Sequence, residues 1–390
     1  MKICACIAEY NPFHLGHLKH LDYIKSELGA EKLIVIMSGN FTQRGSPAVL
    51  NKFTRARHAV LSGADLVIEL PTVFATSNAE TFALGAINIL NSLGCVDGLC
   101  FGIESGTKEE YIALANAMND ESKEFKKALK EQLDKGVSLA KAKFDAVKSI
   151  NNEHYNQELI SSPNNILGLE YTKALLKLKS NIEIFPMIRE GDHNDINLKS
   201  GITSATSIRQ ALMIGKKNKV KRCVPKVVYQ DLKDYPFGFD NLIMSSVLKT
   251  SIQQMAEIAD CTEGLENRIK ALSKDNNSLD ALVEKVSTKR YTQARIRRIL
   301  LACLLGINKG LVQSCLEHKL YAKILAVNKD AKQLISLISS SSSIPILTRK
   351  SDCSLLKKRA QTCFEIDVLA NDLYNLVTNE KQNENQMLII

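Results

Sequence analysis

Apolar positions in the first half of the chain switch repeatedly between two periods. KICACIAEY is a short apolar run of strand type, and HLKHLDYIKSEL then sets Leu18, Leu21, Ile24 and Leu28 at helical spacing. The change recurs. EKLIVIMSG predicts a second strand, KFTRARHAVLSG a helix ending at Gly63, DLVIELP a third strand and AETFALGAINILNSLG another helix. VDGLCFG predicts a fourth strand and NIEIFPMI a fifth. Strands joined by helical crossovers require a parallel sheet with helices on both faces, so the expected class is α/β. Ligands in such sheets sit beyond the carboxyl ends of the strands. The loops AEYNPFHLGH, SGNFTQRGSP, LPTVFATSNAE and FGIESG all leave those ends and converge on one rim.

From about 107 to 179 the period is helical and polar, which predicts a helical insertion beside the sheet. The basic linker KKNKVKR follows SATSIRQALMIG, and beyond Val224 Leu and Ile recur at helical spacing with few strand signals. The expected division is therefore a sheet domain over 1–222 and a mostly α-helical domain over 223–390. SSSSS at 339–343 reads as an exposed loop. A chain of 390 residues, 45% hydrophobic, has material for two cores. Ten cysteines without a CxxC pair suit buried thiols in a reducing cytoplasm, and Cys4 and Cys6 share one strand face. The apolar stretch before Glu9 is too short for a signal peptide and no run approaches membrane-spanning length, so a soluble, cytoplasmic protein without a membrane partner is expected. The net charge of +9 makes polyanions, nucleic acid among them, natural partners.

The stretch EYNPFHLGHLKHL is where chemistry is expected. A strand that ends near Pro12 and enters a helix near Gly16 presents free backbone N–H groups and a positive dipole end, which is a phosphate site. Gly16 permits close approach, and His14 and His17, three apart, both reach anionic oxygens from one side. Histidine donates hydrogen bonds and steadies charge that builds up in a transition state. His14, His17 and His20 also form an HxxHxxH string of zinc-ligand type, but neither a carboxylate nor a cysteine completes it nearby, so no metal is expected. A purely structural pair of histidines is the other alternative, and His20 by itself reads as a helix-surface residue.

HLGH after the first strand resembles the HxGH signature of the nucleotidyltransferase superfamily, whose catalytic domain has a Rossmann-like parallel sheet. TSATSIRQAL resembles that superfamily's second signature, with Thr206 and Ser207 supplying hydroxyls and N–H groups at a helix start and Arg209 a fork for the terminal phosphates. A second Ser of the signature is replaced by Ala205. AEYNPFHLGH, MSGNFTQRGSPA, TRARHAVLSGADLVIELP, CFGIES, SPNNILGLEY and TKRYTQARIRRILL together resemble the tRNA(Met) cytidine acetate ligase family.

That resemblance implies a ligase that joins acetate and ATP into acetyl-adenylate and transfers the acetyl group to N4 of the wobble cytidine of elongator tRNA(Met), releasing AMP and pyrophosphate. ATP is then a co-substrate, with Mg2+, and no protein partner is needed. The implied catalytic pair is His14 and His17. The implied ATP site runs through Ile7, Ala8, Glu9, Tyr10, Asn11, Pro12, Phe13, His14, Leu15, Gly16, His17, Leu18, Lys19 and His20. It continues to Gly102, to an Asn of SPNNILG with Asn164 favoured over Asn165, and to Arg189, besides Thr206, Ser207 and Arg209. Asn40, Gln43 and Arg44 lie on the same rim as candidates for acetate or cytidine. For tRNA, Lys289, Arg290, Arg297 and Arg298 add four positive charges within ten residues and Arg295 a fifth. Two other readings stay open on the residues alone: a nucleotidyltransferase for a small phosphorylated substrate, and a nucleotide-dependent RNA-binding protein without chemistry.

Overall fold

The five strands expected in the first half all form in the computed structural model, which describes every residue except 121, 138, 151–154, 190–202, 234, 237, 277 and 289. They are β1 (Ile3–Ala8), β2 (Lys32–Ser38), β3 (Leu66–Leu70), β4 (Gly98–Ile103) and β5 (Glu183–Ile188). All pair in parallel, in the order β5-β4-β1-β2-β3. The chain builds outward from β1 through β2 to β3, then returns to place β4 on the other flank of β1. That reversal opens a crevice beyond the carboxyl ends of β1 and β4.

Both sheet faces are covered. Along β1, Ile3 and Ala5 enter one apolar core while Cys4 and Cys6 enter the other, as period two requires. Helices α1 (Leu15–Ser26) and α2 (Lys52–Leu61) cover the cysteine face with Leu21, Ile24, Phe53, Ala56 and Ala59. The helix Ala79–Leu93 covers the other and stops at Gly94, whose positive φ closes it. Between β4 and β5 lie the helices Lys108–Met118, Lys123–Asp134, Leu139–Ile150 and Pro163–Lys177. The last is the crossover helix of the sheet itself. Its Gly168 sits so close to β4 that a Cβ there would come within 2.6 Å of the Phe101 ring.

After 223 the chain is mostly helical, as expected, but it also adds strands to the sheet of the first half. β6 (Ala322–Val327) pairs antiparallel with β3, and β7 (Ile346–Leu347) and β8 (Leu388–Ile389) pair with β6 in parallel, so the sheet is shared across the expected boundary. AKILAV is buried throughout, and a short apolar run without alternation has no period that separates strand from helix. SSSSS is not an open loop either. It begins in the helix Lys332–Ser341, where Ser341 Oγ donates to Leu93 O (2.7 Å) and Ser342 Oγ to Ser92 O (3.2 Å).

A buried ionic network ties these late elements to the early ones. Lys52 Nζ of α2 lies 2.7 Å from Glu69 Oε1 of β3 and 2.7 Å from the Glu384 carboxylate, and Lys323 of β6 pairs with the same two acids. Among the described residues no single helix is long and apolar enough to cross a membrane.

Candidate active site

The crevice begins at the turn from β1 into α1. His14 is the N-cap: its Nδ1 accepts from Gly16 N–H (3.1 Å), and His17 Nδ1 accepts from His14 N–H (3.2 Å). The two rings stack with centroids 3.6 Å apart. Because each Nδ1 accepts a backbone N–H, each neutral imidazole carries its proton on Nε2 and donates from there. Burial, with His14, Arg189 and His20 adding to it, pulls the His17 pKa well below the ordinary imidazole value, so the ring is neutral near pH 7. Tyr10 and Phe13 form the floor, with ring centroids 4.8 and 5.6 Å from His17. Both are buried, so within the stretch Ile7–His20 they support the histidines from below.

Free N–H groups at the head of α1, expected from the sequence, are not what this turn offers. Leu15 N–H donates to Cys223 O (2.9 Å), Gly16 N–H to His14 Nδ1, and His17 and Leu18 N–H to His14 O. The imidazoles and the helix dipole remain as the anion-facing features. The second signature meets this turn directly. Arg209 Nη1 donates to Asn11 O (2.8 Å) and its Nη2 to Thr206 Oγ1 (3.1 Å). Ser207 is buried, and its N–H is capped by Ser204 Oγ (3.2 Å), so it is a structural member of its helix start. Ser204 is a further residue of this helix start, and its signal in the sequence is the ordinary N-cap spacing, a Ser three residues before the capped N–H.

The opposite wall comes from β4 and β5. A Cβ on Gly102 would lie 2.8 Å from Cδ and Cγ of Arg189, so glycine lets the arginine lie across the end of β4. Arg189 N–H donates to Ile103 O (2.8 Å). Asn165 is fully buried and holds the loop after β4, accepting from Glu104 N–H (2.8 Å) and donating to Ser105 Oγ and Glu158 O. Asn164 is half-exposed and donates to Glu104 Oε1 (2.5 Å). His20 is not on the outer surface. Its Nε2 lies 3.3 Å from Cys100 Sγ of β4, and burial pushes its pKa down to about 4. Lys19 is exposed on α1.

On the third side, the loop after β2 turns its residues different ways. Asn40 is buried, accepting from Lys52 N–H (2.8 Å) and donating to Asn371 Oδ1 (3.1 Å), so its amide builds the loop and does not face the rim. Gln43 N–H donates to Glu9 Oε1 (2.8 Å), while its own Nε2 is enclosed without a hydrogen-bond partner. Arg44 is exposed and near enough to Arg209 to lower that guanidinium's pKa, after the larger effect of burial. Arg55 is the organiser that sequence reasoning missed. Fully buried, it donates to Leu50 O (2.8 Å), Glu9 O (2.6 Å), Ser38 O (3.0 Å) and Gly39 O, joining the loops after β1 and β2. Its signal was a charge on the apolar stripe of α2, beside Ala56 and Ala59.

The helix Gln293–Leu305 packs against this loop, where a Cβ on Gly45 would come within 2.5 Å of the Arg297–Arg298 backbone. The arginines proposed for RNA have partners of their own. Arg290 pairs with Glu263, Arg297 with Asp280 and Arg298 with Asp260 (2.8 Å), while Arg295 donates to Asp260 O and Thr262 Oγ1. Lys289 lies outside the described residues.

Fold and site define a HIGH-type nucleotidyltransferase: a Rossmann-ordered sheet with a His-x-Gly-His turn at its switch point and a Thr-Ser-x-Arg helix start beside it. Among the described residues no three His, Cys, Asp or Glu side chains are grouped to hold a metal. The HIGH Nucleotidyl Transferase family model matches residues 1–387. The chain is 40% identical to the tRNA(Met) cytidine acetate ligase of Acetivibrio thermocellus, covering 96% of this chain and 94% of that one. It is 38% identical to the enzyme of the same name from Clostridium novyi, with 97% and 96% covered. A crystal structure of Thermotoga maritima TmcAL bound with alpha-thio ATP superposes with TM-score 0.91 at 30% identity, covering both chains completely. The chain belongs to the tRNA(Met) cytidine acetate ligase family.

Proposed function

We propose that this chain is an ATP-dependent acetate ligase that forms acetyl-adenylate and transfers the acetyl group to N4 of the wobble cytidine of elongator tRNA(Met). The observation that carries the reading is the stacked His14–His17 pair at the β1–β4 switch point, each ring with Nδ1 engaged by a backbone N–H. ATP binds in the crevice as its Mg2+ complex, its phosphates between the histidines and the two guanidinium groups of Arg189 and Arg209. An acetate oxygen attacks the α-phosphorus, the bond to the bridging β-phosphate oxygen breaks, and the electron pair leaves with diphosphate. The Nε2–H groups meet the charge that gathers on the phosphate oxygens, a role worth about 10²–10³ in rate per donor.

In the second step the cytidine N4 attacks the acetyl carbonyl, the carbonyl–phosphate oxygen bond breaks, and AMP departs as N4 gives up a proton. A mixed anhydride is reactive enough that positioning supplies much of the rate, so no protein nucleophile is required. Gln43 and Arg44, on the rim beside Glu9, are the candidates to meet acetate and the incoming base. Asn164, half-exposed, is the better nucleotide contact of its pair, because Asn165 is occupied by the backbone and side chain of its own loop.

Trapping tests the first step: protein, ATP, acetate and hydroxylamine without RNA should yield acetyl hydroxamate. Diphosphate release that ignores acetate but follows a phosphorylated small molecule would replace the ligase by a nucleotidyltransferase of another substrate.

A further inference from the structure

The net positive charge of the chain is concentrated where the sequence has no acids at all. From Thr203 to Gln230 there are seven basic side chains and no acidic one. Across 257–298, by contrast, nine basic residues are interleaved with seven acidic ones. The fold uses that difference. In the second region Arg290, Arg297 and Arg298 are each closed into an ion pair with Glu263, Asp280 or Asp260. In the first, Lys219, Lys221, Arg222 and Lys226 are exposed and have no ion-pair partner among the described residues. A paired guanidinium is already neutralised locally and displaces few counterions from RNA, whereas an unpaired exposed one displaces its full share.

Position points the same way. The basic segment follows the helix Ala205–Met213, whose first turn carries Thr206 and Arg209 at the crevice. Within it lies Cys223, whose carbonyl accepts at 2.9 Å the N–H of Leu15, the first residue of α1. Arg222 therefore lies within roughly 14 Å of His14, Cα to Cα, by standard backbone dimensions. Arg44 and Arg209, close enough to act on each other electrostatically, add positive charge at the crevice.

We infer that the exposed basic turn Lys219–Lys226 holds the phosphate backbone of the RNA substrate while its base enters the crevice, and that the arginines of 290–298 instead brace the rim loop. The inference rests on the function proposed above. Sequence-independent backbone grip beside a reacting base positions the strand without reading it, as phosphate contacts do. The bracing role is visible in Arg298 Nη1, which approaches Gln43 O at 3.4 Å while its Nε is held by Asp260.

The test compares Lys219→Gln/Lys221→Gln/Arg222→Gln with Arg290→Gln/Arg297→Gln, reading tRNA affinity across salt and acetyl hydroxamate formation without RNA. The turn variant should bind tRNA about tenfold or more weakly near physiological salt, and its log–log salt slope should flatten by about 2–3 units. Its hydroxamate yield should match the parent chain. The 290/297 variant should shift the slope by less than about 1 unit. A turn variant with parental affinity and slope would overturn the inference, as would a turn variant that keeps RNA binding but loses binding to phosphatidylserine vesicles. Absence of hydroxamate from the parent chain would instead sink the ligase reading itself.

Discussion

The two Nε2 protons of His14 and His17 are the groups that meet phosphate charge in the proposed reaction. His17→Ala should reduce acetyl-adenylate formation by about 10²–10³-fold, and His17→Gln, whose amide nitrogen reaches the Nε2 position, should retain more activity. Hydroxamate yield ranks the three proteins; equal activity of alanine and glutamine variants would remove the donor role. His14 is harder to replace, because it caps α1, and His14→Ala should also cost about 1 kcal/mol of stability. His20 gives a pH prediction with a definite sign. Its pKa falls from about 6.5 in the unfolded chain to about 4 in the fold. Protons therefore favour the unfolded state, and stability declines as pH drops through 6.5 towards 4, by up to about 1.4 kcal/mol per unit. Denaturation at pH 7 and pH 5 should show a smaller difference for His20→Gln than for the parent. The phosphate turn was legible because its chemistry is local: strand end, proline, two histidines and glycine within a few residues. The pairing of His20 with Cys100 was not, since eighty residues separate them.

At the scale of elements, the rim is held by one arginine. Arg55 satisfies four carbonyl groups of three segments, and lysine keeps its charge without the fork that reaches them. Arg55→Lys should destabilise the protein by at least about 2 kcal/mol, the cost of one or two stranded buried acceptors, as chemical denaturation would register. A neutral result would mean that the loops after β1 and β2 keep their places without it. The strands and helices of the first half were readable from period alone, because each spans enough residues for alternation or helical spacing to repeat. Arg55, Asn40 and the acidic partners of Arg290, Arg297 and Arg298 were not readable. Their meaning lies in contacts between segments, and a charged residue looks the same in sequence whether it faces RNA or a neighbouring carboxylate.

At the scale of the molecule, the sheet does not end with the nucleotide-binding half. β6 covers the edge of β3, and Lys323 and Glu384 complete the buried charges of Lys52 and Glu69. Removing residues 223–390 would leave two buried charges with half their partners and an open apolar strand edge, so a 1–222 fragment should not fold stably. Circular dichroism and heat denaturation of that fragment check this; a cooperative transition would show an independent domain. β6 was not legible because all six of its residues are buried, and one lysine among five apolar residues sets up no alternation to mark a period. The proposed function joins ATP at the switch point to RNA held at the basic turn, through acetyl transfer from acetate to cytidine. The decisive experiment is mass spectrometry of nucleosides from elongator tRNA(Met) incubated with the protein, ATP and isotope-labelled acetate. Labelled N4-acetylcytidine should form only when both ATP and acetate are present; unlabelled tRNA, or acetylation supported by acetyl-CoA alone, would rule out the ligase.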